Sequence, residues 1–538
     1  MQLPYSLLLL LLCCLACQDR PVNESQTKTN MSYTEQHRPQ FHFTPPEKWM
    51  NDPNGMVFYE GEYHLFYQYY PDGTVWGPMH WGHAISTDLL HWEHLPIALY
   101  PDSLGYIFSG SAVVDWNNTS GFGVDGQPPL ISIFTYHDME GERQKTETFQ
   151  SQAIAYSNDK GRTWTKYEGN PVISNPGIRD FRDPKVIWDE DSAQWVMVFA
   201  AGDHVMLYGS QNMKDWTFLS DFGREWGSHG GVWECPDLFP ITIEDTGEEK
   251  WVLLLSINPG GPNGGSATQY FVGDFDGKAF TLDPSFIEAL GPIDQGESEE
   301  PEKAIWLDYG RDNYAGVTWS DIPKADGRRI FIGWMSNWDY AREVPTEKWR
   351  SAMTLPRTLS LENTAQGPRL FQAVVSEVEG LTKEIKAFSF DQLNGEEVLT
   401  ESKKSATSQW RIQLQATVAD LESAALEIKL VNDLGEEYKI GLDGKTNRFY
   451  SDRTKAGKIS FSEKFAVGKH WADRQGQNQQ LEIDLIIDRS SAELLADQGA
   501  VALTDLFFPT ADFTKIMLSA SSNVTNIKGK IYEVTGVW

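Results

Sequence analysis

The chain has 538 residues, 76 of them acidic and 45 basic, and a formal net charge of −31. This balance excludes long-range attraction to nucleic acid or to an anionic membrane surface. The 20 Trp and 20 Tyr residues favour a neutral glycan ligand, because flat aromatic faces stack on the C–H faces of sugars, although aromatic residues are also common in strands. The sequence contains no metal-ligand cluster with recognisable spacing and no Gly-rich phosphate loop, so we expect no cofactor.

The first 17 residues predict an export signal. Residues 6–16 form an apolar run that is too short to span a membrane and matches a signal-peptide core. The run is followed by Cys17, in a context that resembles a bacterial lipoprotein signal in which this Cys carries the lipid. We therefore expect an exported protein of the bacterial cell envelope, in the periplasm or on the outer-membrane surface, that meets a membrane only through this anchor. Polar residues 18–39 predict a flexible tether.

Short strand-like runs separated by turn residues fill residues 40–361. Long amphipathic helical patterns are absent from this sequence, so the predicted class is all-β. An S-x-[DN] turn followed by Trp occurs three times, and such turns connect outer strands of propeller blades, where the Asp or Asn side chain caps its own turn. The members are Ser86, Asp88 and Trp92; Ser157, Asp159 and Trp164; and Ser210, Asn212 and Trp216.

Five polar or turn clusters precede strands and mark the starts of blades. This spacing predicts a five-bladed β-propeller over residues 40–361, with each blade a four-stranded sheet beside a central channel. Because the innermost strands line the axis, polar residues at their starts converge on one funnel. The starts lie near Asn51, Phe108, Arg182, Glu234 and Tyr309.

The composition changes after residue 361. Trp becomes scarce, Lys, Glu, Ser and Ala become more frequent, and runs such as residues 425–431 and 481–488 alternate as strands do. We predict a β-sandwich over residues 386–538. Residues 362–385 are the predicted linker between the two domains.

Three motifs each place one carboxylate directly before a predicted strand: Asp52 in WMNDPNG, Asp183 in RDP and Glu234 in WECPD. Each motif alone also fits a turn or a surface ion pair. Together, at blade starts, they bring three carboxylates into one pocket, where mutual repulsion spreads their pKa values apart. Glycoside hydrolysis needs this condition, because one carboxylate must be ionised as nucleophile and another protonated as acid.

The combination of WMNDPNG, RDP and EC resembles glycoside hydrolase family 32, the β-fructosidases, which include fructan β-fructosidases, levanases, inulinases and invertases. The resemblance implies a retaining enzyme with Asp52 as nucleophile, Glu234 as general acid/base and Asp183 as transition-state stabiliser. Apolar Trp233 and the Cys235 thiol are candidates for desolvating Glu234, although Cys235 also fits a small core residue. The implied substrate contacts are Trp49, Asn51, Gln68, Trp76, Phe108, Ser109, Arg182 and Trp334.

The resemblance implies an enzyme that releases fructose from the non-reducing ends of levan or inulin, cleaves sucrose, and has fructan or fructo-oligosaccharide as its partner. Exo action is expected because residues 90–102 and 108–115 resemble loops of exo-type members. An endo-levanase or an invertase of the same family is the enzymatic alternative, and a related propeller class hydrolyses arabinofuranosides with inversion. A lipid-anchored fructan-binding propeller is the non-enzymatic alternative.

Overall fold

The structure, a computed structural model, describes residues 33–291, 293, 303–393, 395–401, 408–475 and 479–538. The predicted signal peptide, Cys17 and residues 18–32 of the predicted tether lie outside these ranges. Among the described residues, no helix is long and apolar enough to cross a membrane. The described helical elements are α1 (Met139–Arg143), α2 (Pro284–Leu290) and the 3-10 helices Ser376–Leu381, Leu421–Ser423 and Asp497–Gly499.

Five sheets follow one another along the first part of the chain. The first contains β1 (Lys48–Tyr59), β2 (Glu62–Tyr70), β3 (His80–Ser86) and β4 (Trp92–Leu99); the second β5 (Tyr106–Val114), β6 (Leu130–His137), β7 (Gln150–Ser157) and β8 (Thr165–Lys166). The third contains β9 (Phe181–Asp189), β10 (Gln194–Ala201), β11 (Val205–Ser210) and β12 (Thr217–Phe222); the fourth β13 (Val232–Thr242), β14 (Glu249–Asn258), β15 (Ala267–Phe275) and β16 (Phe280–Leu282). Then come β17 (Tyr314–Thr318), β18 (Arg329–Met335), β19 (Trp349–Arg350), β20 (Ala352–Met353), β21 (Arg357–Thr364) and β22 (Gly367–Val374).

The first strands of the five sheets contact one another in a closed ring, in the order β1, β5, β9, β13, β17 and back to β1. The fifth sheet consists of β17, β18, β20, β21 and β22. The short strand β19 instead joins the first sheet, where it pairs in parallel with β1. Innermost strands around a central channel are the hallmark of a β-propeller. The predicted all-β propeller is therefore confirmed.

The repeated Ser-x-Asp/Asn turn connects the third and fourth strands of the first three sheets. In each turn the Ser hydroxyl donates to the side chain two residues later: Ser86 to Asp88 at 3.0 Å, Ser157 to Asp159 at 2.8 Å and Ser210 to Asn212 at 3.3 Å. The Trp that follows donates its indole N–H to a carbonyl of the turn, at 3.0, 3.0 and 2.8 Å respectively. The sequence repeat is thus a structural repeat, in which a side-chain cap fixes the turn.

The described residues from 382 onward form two six-stranded sheets packed as the predicted β-sandwich. Alternate residues are buried between them, such as Leu426, Ile428 and Leu430. The strands are β23 (Thr382–Gln392), β24 (Gly395–Glu401), β25 (Trp410–Val418), β26 (Ala425–Val431), β27 (Glu437–Asp443), β28 (Arg448–Lys455), β29 (His470–Asp473), β30 (Gln480–Asp488), β31 (Ser491–Ala496), β32 (Val501–Leu506), β33 (Lys515–Ala520) and β34 (Val524–Val534). Their orders are β23-β34-β25-β30-β31-β32 and β24-β33-β26-β27-β28-β29.

The predicted tether is too long at its C-terminal end, because residues 33–39 pack against the folded chain. Arg38 is 0% exposed, and its guanidinium lies 4.3 Å from the ring centroid of Trp349. Glu35 pairs with the same guanidinium at 2.8 Å. A polar segment can be buried in this way when an ion pair and an aromatic face satisfy its charge.

The predicted linker, residues 362–385, is also wrong in extent. It contains the end of β21, the whole of β22, a 3-10 helix and the start of β23. Strand β22 belongs to the fifth sheet but contacts β32 of the sandwich. Its amino-acid composition therefore suits an interface between domains and differs from that of the Trp-rich blades. The change in composition therefore precedes the end of the fifth sheet.

Buried ion pairs join the propeller to the sandwich. Arg357 on β21 is 0% exposed and contacts Asp308 at 3.0 Å and Glu493, on β31, at 2.6 Å. His42 lies between Asp488 and Glu493, at 2.8 and 2.7 Å. Burial opposes the charge of this imidazole, but the two carboxylates raise the pKa of His42 to about 9. The interface thus connects two buried cations, Arg357 and His42, with three buried carboxylates in one network.

We predict that Arg357→Met destabilises the protein by about 3–5 kcal/mol, because Asp308 and Glu493 lose their cation while they stay buried. The matched control is Arg448→Met, since Arg448 and its partner Asp473 are 45% and 63% exposed and such pairs contribute only about 0–1 kcal/mol. Denaturant unfolding of both variants beside the unmutated protein measures the difference. Equal losses of stability in the two variants would contradict the role of the buried network.

Candidate active site

Every innermost strand of the propeller carries a register shift near its first residues. Such β-bulges bend a strand and re-aim its side chains, and they are common beside active sites. The five shifts occur at equivalent levels of the ring, so the redirected side chains converge on one end of the channel. They lie between Met50 and Pro53 in β1, Phe108 and Gly110 in β5, Arg182 and Lys185 in β9, Glu234 and Asp237 in β13, and Tyr314 and Val317 in β17.

Three of these bulges force a residue with a side chain into left-handed backbone. The φ angles are +64° at Asp183, +46° at Cys235 and +53° at Ala315. Residues other than Gly rarely adopt this region, and each instance costs about 1–3 kcal/mol that the surrounding structure must offset. Two of these residues lie on β9 and β13, the strands of Asp183 and Glu234, and the third lies on β17 next to Tyr314.

Four of the five bulges, those of β1, β5, β9 and β13, border a cavity of about 420 Å³. It contains nine of the eleven side chains that the sequence predicts for the site. The predicted catalytic and substrate-binding residues therefore lie together in one cavity. The nine residues are Asn51, Asp52, Gln68, Trp76, Phe108, Ser109, Arg182, Asp183 and Glu234.

Asp52 is fixed by hydrogen bonds from two neighbours. The Asn51 amide donates to one carboxylate oxygen at 3.0 Å, and the Ser109 hydroxyl donates to the other at 2.7 Å. Burial raises the pKa of Asp52, the negative charge of Glu234 raises it further, and the two hydrogen bonds oppose these effects. The carboxylate is thus oriented and partly dehydrated, and the donors favour its ionised form.

Asp183 lies deeper and is 5% exposed. Its carboxylate accepts the backbone N–H of Cys235 at 3.0 Å and lies 3.9 Å from the Arg182 guanidinium. Burial raises the pKa of Asp183 to about 7; Arg182 lowers it, and Glu234 and Asp52 raise it. Burial, one cation and two neighbouring carboxylates therefore control the charge of this group.

Glu234 is held from two sides. The Arg182 guanidinium pairs with one of its carboxylate oxygens at 2.9 Å, and the Tyr314 hydroxyl donates to the other. The side chains of Trp233 and Cys235 contact groups other than Glu234, so these contacts give no support to the predicted desolvation of Glu234. The ring of Trp233 packs against His229 with centroids 4.9 Å apart, and the Cys235 thiol lies 3.5 Å from Asp183 and 3.7 Å from Asp52.

Two predicted substrate contacts, Trp49 and Trp334, do not line the cavity. Both side chains are 0% exposed, and their rings pack against Trp338, with centroids 5.9 and 4.9 Å apart. Trp338 is the ring that reaches the cavity. Trp49 also donates its N–H to Asn51 at 2.7 Å. These two Trp residues therefore support the wall and the Asn51 side chain from behind.

The remaining lining residues were not predicted, because they lie at strand ends and in loops without a motif. His137, at the end of β6, stacks on Phe108 with centroids 4.1 Å apart and contacts Glu142 of α1 at 3.1 Å. Asp180 could have been predicted from the sequence, because it lies only two residues before Arg182. In the structure the two side chains pair at 2.6 Å. The full set is His137, Glu142, Phe149, Gln150, Asp180, Asn258, Trp338 and Arg342.

We predict that Asp183→Asn stabilises the fold by up to about 4 kcal/mol at pH 8, because the pKa of Asp183 is about 7 in the fold against 3.8 in the unfolded chain. The unfolded carboxyl loses its proton first, so ionisation favours unfolding increasingly from pH 4 to pH 7. Unfolding of variant and parent at pH 8 and pH 4 measures this. The gain should disappear at pH 4, and an equal gain at both pH values would contradict the assignment.

Comparison with known proteins identifies the family. The models of the glycosyl hydrolases family 32 N-terminal domain and C-terminal domain match residues 42–373 and 377–533. Levanase from Bacillus subtilis (strain 168) is 46% identical, with 94% of this chain and 72% of that protein covered. An extracellular exo-inulinase from Aspergillus awamori is 36% identical, with 94% and 96% covered.

Solved structures agree with this assignment. The crystal structure of exo-inulinase from Aspergillus awamori has a TM-score of 0.85 at 35% identity and covers 94% of this chain and 100% of that chain. The structure of β-fructofuranosidase from Schwanniomyces occidentalis complexed with fructosyl-erythritol has a TM-score of 0.78 at 32% identity and covers 94% and 98%. The chain belongs to glycoside hydrolase family 32.

Proposed function

We propose that the protein is an exo-acting fructan β-fructosidase, which releases fructose from the non-reducing ends of levan or inulin and also hydrolyses sucrose. The observation that carries the proposal is the meeting of Asp52, Asp183 and Glu234 in one cavity. A levanase relative and an exo-inulinase relative, the latter matched over 96% of its length, support a fructan as the substrate.

Asp52 is the proposed nucleophile. The donors Asn51 and Ser109 orient its carboxylate and stabilise its charge. One carboxylate oxygen bonds to the anomeric carbon C2 as the bond from C2 to the leaving oxygen breaks, which gives a covalent fructosyl-enzyme. Water then adds to C2 and Asp52 leaves as a carboxylate, so the configuration at C2 is retained.

Glu234 is the proposed general acid and base. It transfers its proton to the leaving oxygen in the first step and takes a proton from the attacking water in the second. Arg182 and Tyr314 contact different oxygens of its carboxylate, so they fix its orientation and stabilise the negative charge that remains after the first transfer.

Asp183 is the proposed transition-state stabiliser. Positive charge develops on the fructosyl ring as the C2–O bond breaks, and an ionised carboxylate held beside the ring attracts it. Since the C2 cation is tertiary and comparatively stable, the enzyme must chiefly hold the sugar in place. Gln68 and Asn51, which line the same cavity, supply polar groups for the ring hydroxyls.

Export is also part of the proposal. The signal-like residues 1–17 support it, and the related exo-inulinase is described as extracellular. The finer proposal is lipidation at Cys17, so growth with radiolabelled palmitate should label the parent protein and leave Cys17→Ser unlabelled. Labelling of both proteins would exclude Cys17 as the anchor.

We predict that Asp52→Ala and Glu234→Ala each lower kcat on sucrose and levan by at least about 10²–10⁴-fold, because each removes a group that takes part in bond cleavage. Fructose release measured by chromatography follows the activity, and Asp125→Ala, at an exposed turn, is the control.

Unmutated protein should give fructose as its first product from levan and inulin. Oligosaccharides as early products would favour an endo-levanase, and no release from any substrate would favour a binding protein.

We predict that Tyr314→Phe lowers kcat by about 10–100-fold and leaves KM nearly unchanged. The lost hydrogen bond to a charged carboxylate corresponds to about 1.5–3 kcal/mol, and the hydroxyl contacts Glu234 and not the cavity wall. Steady-state kinetics on sucrose measures both constants. Tyr100→Phe is the control, since Tyr100 is 54% exposed and outside the cavity; a rise in KM alone would assign Tyr314 to binding.

A further inference from the structure

The propeller channel has a second cavity at the end opposite the carboxylates. It measures about 900 Å³, against about 420 Å³ for the carboxylate cavity. On β5, Ser109 near the first residue lines the carboxylate cavity and Val114 at the last residue lines the second. On β9, Asp183 lines the carboxylate cavity and Asp189 lines the second cavity. The second cavity is called the far cavity below.

Buried charged groups separate the two cavities. Lys185, two residues after Asp183 on β9, forms part of the far-cavity wall and pairs with Asp237 of β13 at 3.3 Å, where both side chains are nearly inaccessible. The Lys185 ammonium also donates to the carbonyl of Thr318 on β17 at 2.7 Å. Three of the five innermost strands are thus cross-linked at this level. A molecule in the far cavity therefore occupies a site of its own.

The far cavity contains the one exposed Trp of the protein. All 20 Trp lie in the part of the chain that the structure describes. Among them only Trp116 is exposed, with 59% of its surface accessible. Its ring does not move freely, because its indole N–H donates to Asp321 at 2.9 Å and its ring lies 5.8 Å from that of Tyr59. The other Asp321 oxygen accepts the backbone N–H of Val114 at 2.9 Å. A large apolar face is thus held rigidly toward solvent.

Other side chains of the far cavity suit a neutral polyhydroxyl ligand. Trp188 and Trp251 add partly exposed rings, while Asn117 and Glu190 supply amide and carboxylate groups for hydroxyl contacts. Aromatic faces beside a few polar groups are the usual composition of small-ligand sites. The lining has six carboxylates against three cationic side chains, and this excess, together with the net charge of −31, disfavours an anionic polymer.

We propose that the far cavity is a second glycan-binding site, which holds an internal stretch of a neutral fructan chain on the fixed face of Trp116. The inference rests on the proposed action on fructans. An exo-acting pocket takes only chain ends, which are rare on a long polymer. A second site that holds the same polymer raises the concentration of those ends at the carboxylate cavity without touching the reacting sugar.

The test measures polymer retention separately from catalysis. Asp52→Ala protein is run in native gels containing levan or inulin, with excess sucrose to occupy the carboxylate cavity. In this background Trp116→Ala should weaken retention about tenfold, which corresponds to about 1.4 kcal/mol. Phe218→Ala is the matched control, since Phe218 is an aromatic residue 49% exposed outside the far cavity. Trp116→Phe, which keeps a ring, should retain part of the binding.

In protein with Asp52 intact, Trp116→Ala should hydrolyse sucrose at the parental rate and levan more slowly at low polymer concentration. The proposal is overturned if Asp52→Ala protein is not retained by either polymer, or if Trp116→Ala migrates as its parent does. Failure of the unmutated protein to hydrolyse sucrose, levan and inulin would instead refute the proposed function. The two failures are therefore distinguishable.

Discussion

Three carboxylates must be held close together in one partly dehydrated cavity, and the other elements of the structure make this possible. Burial and mutual repulsion raise the pKa of Asp52 and of Asp183, so the bare arrangement favours separation of the strands that carry them. Arg182 is the cation placed among them, and it contacts Asp183 and Glu234. Neutral donors from Asn51, Ser109, Tyr314 and the Cys235 backbone add further stabilisation. A site of this kind must be built on elements that cannot move apart.

The closed ring of innermost strands meets that requirement. Repulsion between Asp52, Asp183 and Glu234 acts between strands β1, β9 and β13, and each strand is fixed by its own sheet and by its neighbours in the ring. Lys185 and Asp237 place a second, attractive pair directly behind the carboxylates. The sandwich is attached through buried ion pairs such as Arg357 with Glu493, so it braces the fifth sheet rather than forming an independent lobe. Strain and like charge at one end of the channel are thus offset by attractive contacts elsewhere.

The sequence is sufficient to predict which carboxylates meet, because their motifs lie at the starts of strands and strand starts converge in a propeller. The carboxylates lie within the first residues of β1, β9 and β13, whereas the sequence predicts them directly before these strands. It also predicts the Ser-x-Asp/Asn turns, which are local. It fails wherever a side chain's direction depends on a bulge, since a shift of one residue reverses the face of a strand. Trp49 and Trp334 are therefore behind the wall, Trp233 faces away from Glu234, and the Cys235 thiol contacts Asp52 and Asp183. Burial of Arg38 depends on Trp349, more than 300 residues away, which no local pattern reveals.

Three of the innermost strands, β5, β9 and β13, reach both the carboxylate cavity and the far cavity. The first residues are bulged, strained and rich in charge, which suits the cleavage of a bond that must be held in one geometry. Their last residues border a larger cavity, in which Trp116 is exposed and Trp188 and Trp251 are partly exposed, and this suits weaker contact with many equivalent positions along a polymer. An enzyme that consumes a polymer from its ends faces both tasks at once. The buried Lys185–Asp237 pair keeps the two ends chemically separate while one set of strands serves both.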